Sequence, residues 1–260
     1  MKKYISLFIS IFILAACGSG PDTGLIIAGS TSVQPYIEVL AEEFAHHYPD
    51  YYIDVQGGGS SAGLAAVASH TADIGMSSRD LTEKEHGLWR ITFAMDGLAI
   101  VVHPSNPVYD MTLEQLRGVY AGRITNWGEL GGNNNGIHVI TREEGSGTRS
   151  AFESLAMGGE YITPKAIVQD SNGAVRQLVL NDKNAVGFMS LGLVDETVKA
   201  LSLDGEQPGW NNLLAGTYML SRPFILACES EPDGVARIFI DFIATPEAQA
   251  VLVSEGLIPQ

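Results

Sequence analysis

Arg142-Glu143-Glu144-Gly145-Ser146-Gly147-Thr148 is the stretch on which the reading of this chain turns. It follows a β-branched run, Ile137–Thr141, and precedes an apolar helical face over 149–156. The spacing therefore predicts a strand, a tight loop and a helix. A helix N-terminus presents free N–H donors and about half a positive charge. Glycine lets a ligand approach the backbone closely, and Ser146 and Thr148 add rotatable hydroxyl donors. Arg142 at the strand end supplies a planar fork that matches a tetrahedral oxyanion, and an acid beside it can hold that fork in place.

Two further loops have the same build. Gly29-Ser30-Thr31-Ser32 follows the strand-like Leu25–Ala28, and Gly57-Gly58-Gly59-Ser60-Ser61-Ala62-Gly63 follows Tyr52–Gln56. Each opens a helical pattern, so its Ser and Thr residues also suit N-caps. Other strand candidates are Asp73–Ser77, Leu98–Val102, Ala166–Gln169, Ala185–Met189 and Phe224–Cys228. Between them, Val33, Tyr36, Ile37, Leu40, Ala41 and Phe44 recur at helical spacing. Weaker helical faces run through 62–69, 112–120 and 172–181, and a C-terminal one spans 234–256. This alternation predicts an α/β fold with helices covering the faces of a sheet. Several helix N-termini converging on one point would make an anion site without lysine.

The chain has 260 residues, 45% hydrophobic and 17% charged, which is globular composition in one or two domains. Fifteen Lys and Arg face thirty Asp and Glu, a formal charge of −15. That balance excludes a nucleic-acid partner and an electrostatic grip on anionic lipid. Gly59-Ser60-Ser61-Ala62-Gly63 fits the G-x-S-x-G nucleophile elbow with Ser61 as nucleophile, but no histidine follows His138 to complete a C-terminal triad. The Gly57-x-Gly59-x-x-Ala62 fit to a dinucleotide fingerprint sits at the second strand–helix turn and carries little weight. No H-E-x-x-H, C-x-x-C or Walker A sequence occurs, so no metal site, no cofactor and no ATP hydrolysis are expected. His46-His47 is read as solvated, and Trp127 as packing.

The N-terminus reads as an export signal. Lys2 and Lys3 precede an apolar run, Ile5–Ala16, too short to span a bilayer. Leu14-Ala15-Ala16-Cys17 is similar to a bacterial lipobox, which implies lipid on Cys17 after removal of residues 1–16. That removal takes away two lysines and no acid, so −15 becomes −17. Residues 17–23 are a Gly/Ser/Pro tether. Cys228, in an apolar run, is expected to be a buried free thiol.

The three loops together with Asp73-Ile74-Gly75-Met76-Ser77-Ser78-Arg79 and Ile124-Thr125-Asn126-Trp127 carry a resemblance. Over nearly its whole mature length the chain resembles the phosphate-binding proteins of bacterial high-affinity phosphate ABC transporters. The resemblance implies a two-lobed type II periplasmic-binding-protein fold that closes over inorganic phosphate. Lobe one would be 24–97 plus 225–260, lobe two 103–218, with crossings at 98–102 and 219–224. The implied ligands are Thr31, Ser32, Ser60, Ser77, Ser78, Arg79, Arg142, Ser146, Gly147 and Thr148, with Glu144 orienting Arg142. It implies a non-enzymatic, monomeric, extracytoplasmic lipoprotein whose partner is a membrane permease, touching the membrane only through Cys17. Well-known members carry an aspartate after the third strand that accepts a proton from phosphate; here Ser78 stands there, followed by Arg79. Ser78, a backbone carbonyl, or the more distant Asp80 and Asp96 are the candidate acceptors. Sulfate, molybdate or arsenate as ligand, and sensing in place of transport, stay open.

Overall fold

The structure is a computed structural model and describes residues 23–260. The export signal, Cys17 and most of the tether lie outside the described residues. In chain order the main elements are β1 (Gly24–Gly29), α1 (Gln34–His47), β2 (Tyr52–Gly57), α2 (Ser60–Ala68), β3 (Ile74–Ser77) and β4 (Trp89–Val102). Then follow β5 (Asp110–Met111), α3 (Leu113–Tyr120), β6 (His138–Arg142), α4 (Gly147–Phe152), β7 (Ile167–Gln169), α5 (Asn172–Asn181) and β8 (Ala185–Ser190). The chain ends with β9 (Lys199–Ala200), β10 (Ser202–Leu203), α6 (Trp210–Leu214), β11 (Ser221–Cys228), α7 (Gly234–Ile243), α8 (Pro246–Ser254) and β12 (Ile258–Pro259).

The strands run β2-β1-β3-β11-β4-β8-β6-β7, and β4 serves both lobes. Its first part, Trp89–Gly97, pairs antiparallel with β11. Its last part, Leu98–Val102, pairs antiparallel with β8. The handover at Gly97/Leu98 divides the apolar cores. Ile27, Leu40, Phe44, Ile74, Phe224 and Phe239 fill the first. In the second lobe the pleat sends alternate β4 residues to opposite faces. Leu98, Ile100 and Val102 join Tyr120, Trp127, Phe152 and Phe188, while Ala99 and Val101 face Val175 and Val179.

Several expectations meet the structure here. Residues 98–102 pair with β8 on one side and at Val101–Val102 with β9 on the other, and Ser221–Phe224 pairs with Ala94–Gly97 in the first sheet. The change of strand partner falls at Gly97/Leu98, at the start of the expected 98–102 crossing, and Leu220, within 219–224, accepts from Leu98 N–H beside it. The C-terminal face over 234–256 is two helices, because Thr245 caps α8 and Pro246 cannot continue α7. His46 and His47 are exposed, as read from the sequence, and His47 also lies 5.8 Å from the Phe242 ring with its Nε2 3.3 Å from Glu247. Trp127 is buried and donates its indole N–H to Asn184 O at 2.9 Å. Cys228 is a free, buried thiol, pushed up to about 11 by burial.

Gly63 explains the nucleophile-elbow match without chemistry. α2 lies so close to β1 that a Cβ on Gly63 would fall 2.2 Å from Ala28 O. The second glycine of the G-x-S-x-G match is thus demanded by helix–strand packing. Gly63→Ala should destabilise the protein by about 1–3 kcal/mol, the usual cost of overpacking. A urea-unfolding midpoint unchanged from wild type would contradict this.

Candidate anion-binding site

The three glycine loops converge at the cleft between the lobes, as main-chain contacts show. Gly59 N–H donates to Gly29 O at 2.9 Å, and Ser61 N–H donates across the cleft to Gly145 O at 3.1 Å. Gly59 (φ +92°) and Gly145 (φ +89°) hold left-handed conformations there. Of the three helices that follow, only α4 has a hydroxyl cap: Ser146 Oγ accepts from Arg149 N–H. Val33 and Gly59 precede α1 and α2 without side-chain caps. The serines of the first two loops are therefore free for other partners.

Those partners are one another. Ser30, Ser32, Ser60, Ser78, Ser146 and Thr148 are all buried. Ser30 Oγ donates to Ser78 Oγ at 2.8 Å, and Ser60 Oγ accepts from Ser78 N–H at 3.1 Å. Ser32 Oγ and Thr148 Oγ1 meet across the cleft at 2.7 Å. Gly147 sits against the same group, since a Cβ there would lie 2.2 Å from Ser60 Oγ and 2.6 Å from Ser78 Oγ. Ser77 is buried but occupied locally: its hydroxyl donates to Arg79 O at 2.8 Å and shapes the turn.

Arg142 stands at the end of β6 with 1% of its surface exposed. Its Nε and Nη2 take both oxygens of Glu143, at 2.9 and 3.0 Å. Nη2 also donates to Asp170 O and to Thr31 Oγ1, both near 3 Å. Nη1 is buried without a hydrogen-bond partner among the described residues. Glu144, expected to orient the arginine, is exposed. The orienting acid is its neighbour Glu143, because the residue next to the strand end folds back onto the guanidinium while Glu144 turns outward.

Arg79 is committed elsewhere. Its fork closes on Glu85, at 2.8 and 2.9 Å, and Nη2 also donates to Ser61 Oγ at 3.2 Å. That arginine's hydrogen bonds hold the Glu85 carboxyl down, at about 2. Its role is to tie the loop after β3 to the start of α2. Ser61, the hydrolase candidate, is an acceptor for a guanidinium.

Two residues that sequence reasoning missed complete the shell. Arg222, on β11, is 1% exposed; its Nη1 donates to Thr148 Oγ1 at 2.9 Å and to Ser78 O at 3.3 Å. Its Nε and Nη2 hold Asp96 Oδ2 at 3.0 and 2.8 Å. Burial pushes the Asp96 carboxyl up and Arg222 down, and each opposes the other's shift. Asn172, the first residue of α5, donates to Ser32 Oγ at 2.8 Å and accepts from Ser190 N–H. Asp170-Ser171-Asn172 follows a strand and opens a helix, so the pattern of the other loops could have pointed to it. Arg222 lies inside a strand and had no such signal. Asp80 is exposed.

The site is thus a buried cluster of guanidinium, amide and hydroxyl donors between two lobes, which suits capture of a small oxyanion without bond making. Comparison with known proteins agrees with the architecture. A PBP superfamily domain model matches residues 16–247. The phosphate-binding protein PstS of Bacillus subtilis is 30% identical over 99% of this chain and 94% of its own length. A putative phosphate ABC transporter substrate-binding protein from Clostridium perfringens, solved with bound phosphate, is 40% identical, with a TM-score of 0.89 over 91% of this chain and 99% of that one. An ABC-type phosphate transport receptor from Vibrio cholerae is 44% identical, with a TM-score of 0.76 over 91% of this chain and the whole of its own. With its strand handover, its two cores and its cleft of converging loops, this chain belongs to the PBP superfamily of binding proteins.

Proposed function

We propose that this protein captures inorganic phosphate outside the cytoplasm and delivers it to the permease of an ABC importer. The observation that carries the reading is Arg142: fully buried, forked by Glu143, with Nη2 on the Thr31 hydroxyl of the other lobe and Nη1 unpaired. A buried cation with an unused donor is costly unless an anion completes it. Full-length similarity to the phosphate-bound Clostridium perfringens protein supports phosphate as that anion. The ligand set is Arg142, Ser146, Gly147 and Thr148 from lobe two, with Thr31, Ser32, Ser60 and Ser78 from lobe one. Ser77 and Arg79 shape the loop behind Ser78.

The work done is positional. The first amides of α4 at Gly147 and Thr148 have no acceptor within their own helix. Gly147 sits against the Ser60 and Ser78 hydroxyls of lobe one. Lobe closure exchanges water on the anion for these fixed donors, and no bond is made or broken. The mature protein is tethered by lipid on Cys17.

Arg142→Ala should lower phosphate affinity by about 30-fold or more while the fold persists, because truncating one partner of a buried charge contact costs roughly 2–5 kcal/mol. Calorimetry giving wild-type affinity would refute the assigned site. Arg79→Ala, in contrast, should lower the melting temperature and leave phosphate affinity within about threefold, since its fork is spent on Glu85. A loss as deep as that of Arg142→Ala would restore Arg79 to the site. Cys17→Ala should move the protein from the membrane to the soluble fraction, and unchanged fractionation would refute the lipid anchor.

A further inference from the structure

We propose that Arg222, pinned by Asp96, is the second guanidinium of the anion site, and that the donor-rich, carboxylate-free lining it completes takes the phosphate dianion in preference to the monoanion. This rests on the reading of the cleft as a phosphate site and says which form of the anion that site accepts.

The first support is placement. Arg222 reaches Thr148 Oγ1 and Ser78 O, two positions of the shell already described, from a fully buried position. Its position in the shell is not incidental, because Asp96 grips Nε and Nη2 from the far side and leaves Nη1 directed at Thr148. Arg142 is built in the same way: Glu143 holds one edge, and Nη1 is buried and unpaired. Two guanidiniums thus bear on one shell, each with its own carboxylate.

The second support is the direction of the hydrogen bonds. Arg222 Nη1 donates to Thr148 Oγ1, and Asn172 Nδ2 donates to Ser32 Oγ. Ser78 N–H donates to Ser60 Oγ, and Ser30 Oγ donates to Ser78 Oγ. Each of these oxygens already accepts from a donor, and apart from the proton Ser30 gives Ser78 and the one shared between Ser32 and Thr148, the hydroxyl protons are left for a further acceptor. No carboxylate balances this. Both oxygens of Glu143 take Arg142, both oxygens of Glu85 take Arg79, and Asp96 Oδ2 takes Arg222. Asp96 Oδ1 is buried with the Ser190 hydroxyl and the Gly192 amide beside it. Each proton that phosphate carries needs an acceptor, and the monoanion carries one more than the dianion. A lining of donors with two guanidiniums therefore favours the form with fewer protons and more charge.

The groups facing Arg222 are Asp96, Arg142 and Tyr36, and Asp96 also bears on Tyr218. Burial raises both tyrosines, which stay neutral. Among these groups only Asp96 could add a titration of its own, so the test must separate its ionisation from that of the ligand.

The experiment is calorimetric titration of the soluble, tail-less protein with inorganic phosphate across mildly acid to mildly alkaline pH. For wild type, affinity should climb along the second ionisation of phosphate and level off above it. A flat profile, or a rise centred away from that ionisation, overturns the inference. Arg222→Gln should lose about 30-fold or more at the plateau. Arg222→Lys should keep the pH profile at reduced affinity. Phosphate binding within about threefold of wild type in Arg222→Gln would remove Arg222 from the site. If Arg222→Gln does not fold, as a melting curve would show, the wild-type profile and Arg222→Lys still decide. Wild-type protein that binds no phosphate at any pH overturns the proposed function itself; phosphate bound equally well at every pH overturns only this inference.

Discussion

The Asp96–Arg222 pair is the interaction on which lobes and site jointly depend. Both side chains are 1% exposed, and the two residues are direct neighbours in the β4–β11 register. One residue further on, at Gly97/Leu98, β4 leaves the first sheet for the second. The pair therefore sits where the lobes join, and its outward arm ends on Thr148 at the start of α4. Two buried charges are no bargain in stability compared with apolar residues of the same size. Their justification is positional. The strand pairing fixes Asp96, Asp96 fixes the guanidinium, and the guanidinium fixes the hydroxyl that meets Ser32 from the other lobe.

The same logic reconciles a formal charge of −15 with a site for anions. Net charge acts on solubility and long-range approach, and salt screens it over about 8 Å at physiological ionic strength. Inside the cleft the relevant acids are already consumed. Glu143, Asp96 and Glu85 each hold one arginine, and their oxygens face those forks. What remains facing the shell are guanidinium edges, amides and hydroxyl protons. An acidic chain thus presents a locally electropositive pocket by spending its nearby carboxylates on orientation.

Much of this was legible in the sequence wherever function is written in contiguous residues. Arg142 through Thr148 announces a strand end, a turn and a helix start, and those are the features the structure shows. The eight strands read from apolar runs all appear. Legibility failed where register decides. Trp89–Gly97 alternates, but Asp96 and Gly97 interrupt the apolar pattern, so only the second half of β4 stood out. Arg222 is a lone charge in a strand, and only its pairing with Asp96 reveals that it is buried. Between Glu143 and Glu144 composition cannot choose; the choice is made by which side chain the turn at Gly145 folds back onto Arg142. Arg79 misled for the opposite reason, since its partner Glu85 lies six residues away in a segment with no other distinguishing feature.

The lobes meet in the cleft through polar contacts, and that has an energetic consequence. Ser32 with Thr148, Asn172 with Ser32, Arg142 with Thr31, and Ser61 N–H with Gly145 O are hydrogen bonds. Each contributes a net of about 0.5–1.5 kcal/mol, because water would satisfy the same groups in an open cleft. The apolar clusters belong mainly to one lobe or the other, although Ile258 and Met95 of the first pack into the cluster of the second. A ligand shifts closure only by its differential affinity for the closed cleft. An anion touching Arg142 and the hydroxyls of both lobes supplies that difference, because its charge-assisted bonds exist in full only when the lobes are together. The preference for hydroxyls over apolar side chains at the lobe boundary is what lets ligand binding, not core packing, set the position of the cleft.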